Sequence, residues 1–144
     1  TGSLIGPLTL LNAEVEVRVA GTVERVGLRQ ITADQGLIER VLISRTQRSP
    51  RSSFAQIRRT PAGHGLVTVS VGDAPNGVYV VVAAGHVRHC LDFAGGTPGS
   101  ELQRMVRETL PQLPPDAAAS SDYRRAMAGV LVRRIVQRLR EVAA

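Results

Sequence analysis

Two stretches carry residue types that can do chemistry. Gly95-Gly96-Thr97-Pro98-Gly99-Ser100 runs from a strand pattern into the start of a helix. A glycine loop there can cradle phosphate, because backbone N–H groups converge at a helix N-terminus. This loop lacks the spacing of a dinucleotide fingerprint, a Walker lysine and a following acidic residue, so it reads as a turn into a capped helix. His86, His89 and Cys90 are metal-ligand types. On a strand, positions 86 and 89 point to opposite faces, and no second ligand cluster accompanies them. His89 and Cys90 are strand neighbours, so their side chains point apart and make no nucleophile–base pair. Paired carboxylates of fixed spacing and a Ser/His/Asp set are also missing. These residues predict no catalytic site and no metal site.

The elements that would position any site follow from hydrophobic periodicity. Ala13 to Val19 alternates as a half-buried strand, and Ala20-Gly21 turns it into a second, Thr22 to Leu28. Leu37 to Ile43 is a third. Four more follow at Phe54 to Arg58, Leu66 to Val71, Gly77 to Ala84 and His86 to Phe93; Asn76-Gly77 favours a tight antiparallel reversal. Ser100 opens a helix with capping-box spacing to Gln103, and Pro111 stops it. Ser120 to Ala144 is the closing helix. Ser120 or Ser121 caps it; Tyr123, Met127, Val130, Leu131, Ile135, Leu139 and Val142 form its apolar stripe, and its arginines, Arg124 among them, decorate the surface. Leu4 to Leu11 reads as a buried connection, and Thr46 to Ser53 as a loop between folding units. Strands followed by helices predict an α+β fold, an antiparallel sheet with helices packed on one face.

The chain has 144 residues, 43% of them apolar and 21% charged, which is globular composition. Its 18 basic residues are all arginine, and the net charge is +6. A basic chain raises the nucleic-acid reading, but two Tyr, two Phe and no Trp leave little for base stacking, and the arginines are spread along the chain. The single cysteine suits a reducing cytoplasm. No run reaches membrane-spanning length, and the first residues do not read as a secretory leader.

Three segments together resemble the C-terminal part of the FAD-binding medium subunit of molybdenum hydroxylases, the family of the carbon monoxide dehydrogenase and xanthine dehydrogenase flavoproteins. They are Leu4 to Val17 (LIGPLTLLNAEVEV), the stretch from Leu37 through RTPAGHGLVTVSV to Val71, and Ser121 to Arg134 (SDYRRAMAGVLVRR). The last is the most specific. The resemblance implies that residues 1–46 are the tail of a second FAD-binding subdomain. Residues 47–144 would be a domain like the C-terminal one of the CO dehydrogenase flavoprotein. It implies a chain that supports electron transfer from iron–sulfur clusters through FAD to an acceptor, with substrate oxidised at molybdenum elsewhere. Its implied partners are the missing N-terminal FAD-binding half, an iron–sulfur small subunit and a molybdenum large subunit.

The same resemblance implies flavin contacts at Leu37, Ile38, Arg59 and His64. His64 stands where relatives can carry a tyrosine near the ring, and Ala55 and Gln56 stand where some carry a lysine. The family's glycine loops that grip the pyrophosphate fall upstream of Leu4. The expectation is therefore that this chain alone binds no FAD, is not catalytic, and docks the FAD half through Leu4 to Leu11. Two other classes remain: a non-enzymatic assembly module and an arginine-rich nucleic-acid binder.

Overall fold

The computed structural model describes residues 4–31, 36–44, 51–60, 65–85 and 87–142. A short helix, α1 (Ile5–Leu10), leads into β1 (Glu14–Val19), β2 (Thr22–Gly27) and β3 (Leu37–Leu42). Then come β4 (Arg51–Arg58), β5 (Gly65–Ala74), β6 (Gly77–Ala84) and β7 (Val87–Ala94), followed by α2 (Gly99–Thr109) and α3 (Ser121–Glu141). The strands form two antiparallel sheets, ordered β2-β1-β3 and β4-β5-β6-β7. The α+β class is as expected. Two readings of the element bounds change. Leu4 to Leu11 contains a helix, because Pro7 falls in the first turn, where its missing N–H would have no intrahelical partner anyway. β4 begins at Arg51, inside the stretch read as loop.

The larger core lies between the four-stranded sheet and the α2–α3 pair. Val67, Val69 and Val71 of β5 and Val78, Val80 and Val82 of β6 meet Leu102, Val106, Leu131, Val132 and Ile135. Alternation puts the valines on one face, and the two helices cover it. The α3 stripe is rotated from the one expected: Arg124, Ala128, Gly129, Leu131, Val132, Ile135 and Val136 are buried, whereas Tyr123 is 44% and Val142 83% exposed. The small residues decide this. A Cβ on Gly129 would come within 2.5 Å of the Gln103 carbonyl oxygen, so this side of α3 is where α2 approaches closest. Ser120 caps α3, its hydroxyl accepting from the Tyr123 N–H at 3.2 Å. The capping box at Ser100 is not formed. α2 starts at Gly99 with Pro98 before it and no side-chain cap, which places Ser100 inside the first turn. Leu110, ahead of Pro111, is extended and ends α2, as the residue before a proline prefers.

α1 packs on β4, β5 and β6 from the opposite side. A Cβ on its Gly6 would overlap the side chain of Ser70, which alternation turns away from the valine core. Ile5 and Leu8 reach the second, smaller core of Ala13, Val15, Val17 and Leu28. α1 thus joins the two sheets, and the surface expected to dock another polypeptide is occupied within the chain; of this segment Leu4 stays well exposed, at 69%. Arg88 of β7 adds a second tie, donating to the carbonyls of Ile31 (3.1 Å) and Arg29 (3.4 Å).

Arg124 corrects the surface reading most sharply, being 2% exposed. Its Nη1 donates to the Leu66 carbonyl at 2.9 Å, and its Nη2 lies 2.5 Å from Asp116 Oδ2. Asp116 Oδ1 accepts from the N–H groups of Ala118 and Ala119, which shapes the segment before α3. The Arg124 guanidinium first, and then the Ala118 N–H, hold the Asp116 carboxyl below its usual range. A lowered carboxyl stabilises the fold above its unfolded pKa of about 4, and that contribution is lost as pH falls through the lowered folded value. Acid titration of thermal stability should therefore show a limb below about pH 4 that Asp116→Asn makes shallower. An unchanged limb would show that the pair carries none of the acid sensitivity.

Candidate functional site

Leu37 and Ile38 lie at the start of β3, the edge of the three-stranded sheet. Ile38 pairs with Val17 and Leu37 with Arg18, so the two side chains face opposite sides of the sheet. Both are open, at 46% and 67% exposure. A flat ring lying against one face of β3 would meet one of them. Arg59 follows β4 on the other sheet and is exposed. The structure therefore does not gather Leu37, Ile38 and Arg59 on a single face. His64 lies outside the described residues.

Around Leu37, Arg18 ion-pairs with Glu39, which holds the Glu39 carboxyl below its usual range. Arg25–Glu14 at 2.6 Å and Arg40–Glu16 at 3.5 Å lie along the same outer face. These are solvated pairs on a charged face, and none leaves a lone carboxylate poised as a base.

The Gly95–Ser100 loop is explained by packing. A Cβ on Gly95 would strike the Pro75 backbone, so this glycine lets the loop lie against the β5–β6 turn. Gly96 has φ +76°, a left-handed turn residue. A groove of about 520 Å³ opens beside it, lined by Gly99, Arg133, Val136 and Arg140 among others. Arg140 is already engaged, donating to Asp73 at 3.0 Å and to the Thr97 carbonyl at 2.9 Å. The loop is thereby tied to α3 and β5.

His89 is half-buried opposite Val82, on the helix-facing side of β7, and burial pushes its imidazole pKa down. Cys90 points the other way and is exposed. His86 lies outside the described residues. Among the described residues no group of three or more His, Cys, Asp or Glu could hold a metal, and no helix is long and apolar enough to cross a membrane.

An FAD would fit these residues only in part. Exposed apolar side chains on β3 suit one flank of an isoalloxazine ring. Among the described residues no glycine loop is free to grip a pyrophosphate, since Gly95 is committed to the β5–β6 turn.

The architecture defines a class: a four-stranded antiparallel sheet with two helices on one face, joined through a short helix to a three-stranded sheet. The same fold occurs in solved oxidoreductase and dehydrogenase structures. Quinoline 2-oxidoreductase from Pseudomonas putida 86 superposes with a TM-score of 0.73 at 14% identity, over 97% of this chain and 56% of that one. The Cu,Mo-CO dehydrogenase in its cyanide-inactivated form gives 0.68 at 13% identity, over 96% and 56%. Reconstituted CO dehydrogenase from Oligotropha carboxidovorans gives 0.68 at 14% identity over the same shares. The likeness includes both sheets, and it is one of fold. The chain spans about 56% of the length of these neighbours. No family model and no curated protein matches the sequence.

Proposed function

We propose that the chain is the C-terminal part of the flavin subunit of a molybdenum hydroxylase. It would support electron transfer from iron–sulfur clusters through FAD to an acceptor, and be without activity alone. The observation that carries this reading is the superposition on quinoline 2-oxidoreductase over 97% of the chain, across two sheets and the helix between them. A superposition over the second sheet alone would support a generic α+β layer. The three sequence segments that resemble the family's flavin subunit are distributed over the same region.

When bound, FAD supplies the redox chemistry, and the protein supplies binding and electrostatics. In this reading one apolar side chain of β3, Leu37 or Ile38, borders the ring, and Arg59 and His64 are the further contacts that the family resemblance implies. The pyrophosphate grip belongs to an N-terminal FAD-binding half. An iron–sulfur small subunit and a molybdenum large subunit are the further partners, and the setting is cytoplasmic. The test is expression of the whole reading frame that contains Thr1 to Ala144. The product should carry flavin absorbance that bleaches when a reduced iron–sulfur small subunit is added. A product that binds those partners without any flavin would favour an assembly module instead.

A further inference from the structure

The arginines of α3 divide into those the fold uses and those it leaves idle. Arg124, Arg125 and Arg140 pair with Asp116, Asp122 and Asp73. Arg134 and Arg138 are exposed, and among the described residues neither has an ion pair or a hydrogen-bond partner. They are four residues apart, so one stands above the other, and like charges at that spacing destabilise a helix. Glu141 is within reach of Arg138 by spacing, yet it accepts from the Gln137 side chain at 2.9 Å instead. Arg133 is idle too, but it lies on the α2 side, where a Cβ on Gly99 would sit 3.3 Å from its Cγ.

Arg134 and Arg138 occupy the other flank. They lie about 140° and 180° round the helix from Gly129, which faces α2. That flank overhangs β4, on which α3 packs. β4 adds a third idle arginine. Arg51 is the cross-strand partner of Asp73, so both side chains stand on the helix-facing side of the sheet. Arg140 takes the Asp73 carboxylate through both oxygens, and Arg51 stays exposed and unpaired among the described residues. Three positive charges without a counter-charge therefore share one flank of the α3–β4 layer.

We propose that this flank docks a carboxylate-rich segment of a partner protein, its acidic side chains meeting Arg51, Arg134 and Arg138. Guanidinium forks match carboxylates in two parallel hydrogen bonds. Charge complementarity selects the acidic partner, and the surroundings select a protein. A nucleic-acid site engages about 6–10 phosphates and stacks bases on rings. Here there are three arginines. Phe54, on β4, points to the opposite face, and Tyr123 lies about three turns of α3 away from Arg134. A membrane-surface helix needs a free apolar face, and that of α3 is buried against the sheet. The surface does not depend on the flavin-subunit reading.

Fluorescence anisotropy with a labelled poly-glutamate peptide tests this on the whole chain. The peptide should bind at low salt and weaken as salt rises. Arg134→Gln with Arg138→Gln should weaken binding by at least about fivefold, and Arg51→Gln alone should weaken it as well. The charge-matched control, Arg25→Gln with Arg40→Gln, removes two arginines paired on the other sheet and should change affinity less than about twofold. The urea midpoint of the Arg134/Arg138 variant should not fall, because the pair serves no contact in the fold. A lowered midpoint would show that these arginines hold the fold and would overturn the proposal. So would no binding by the unaltered chain, or an equal loss from the control, which would mean bulk charge alone. Wild-type affinity in Arg51→Gln would overturn the placement across α3 and β4. Tighter binding of a duplex DNA oligonucleotide or of phosphatidylglycerol vesicles, lost in the same Arg134/Arg138 variant, would make nucleic acid or a membrane the occupant and overturn the protein assignment.

Discussion

Leu131→Ala should lower the unfolding free energy by about 2–5 kcal/mol, the cost of a cavity at a buried leucine. Leu131 is 6% exposed in the core between α3 and the β5–β6 valines. A domain of this size has about 5–15 kcal/mol of stability, so the variant should come close to the unfolding threshold. Val142→Ala, at a position 83% exposed beyond the end of α3, is the control and should change little. Urea denaturation reads both, through a shifted midpoint at constant slope. An unmoved midpoint for Leu131→Ala would mean that α3 does not close this core.

Arg124→Ala should be comparably severe, by about 3 kcal/mol or more, because two losses combine. The side chain is among the largest that are fully buried, so truncation leaves a cavity, and the Leu66 carbonyl loses its donor. Arg124→Met separates the two. Methionine restores most of the stem volume and leaves the carbonyl unpaired, for about 1–3 kcal/mol. Asp116, itself exposed, returns to water in either variant. Equal destabilisation by Met and Ala would show that volume matters little and that charge carries the whole effect.

Why Arg124 escapes a reading of the sequence is instructive. Charged residues are seldom buried unless paired, and the Leu66 carbonyl that pairs it lies 58 positions away. A signal was present. Arg124, Ala128, Leu131, Val132 and Ile135 share helical spacing, and the small Ala128 and Gly129 mark the side where α2 comes close. β6, by contrast, was legible to the residue, because Asn76-Gly77 fixes the turn and the valines that follow are too apolar for an exposed strand. α1 was hidden by Pro7, which breaks a helix interior but not a first turn. For the candidate site the sequence could place Leu37 and Ile38 on one strand. It could not say which of the two faces the rest of the protein, because that depends on the register shift between Glu16 and Val17.

The central claim is that this chain holds the ring side of a flavin site and that another segment holds the phosphates. Backbone N–H groups around a pyrophosphate supply much of the affinity for a dinucleotide. Apolar contact with one flat ring must otherwise offset an association cost of about 4–15 kcal/mol by itself. Calorimetric titration with FAD, first into the chain alone and then into its mixture with the proposed FAD-binding half, tests this directly. The account predicts no heat of binding with the chain alone and saturable binding in the mixture. Micromolar or tighter binding to the chain alone would contradict it, since a complete flavin site would then reside in these 144 residues.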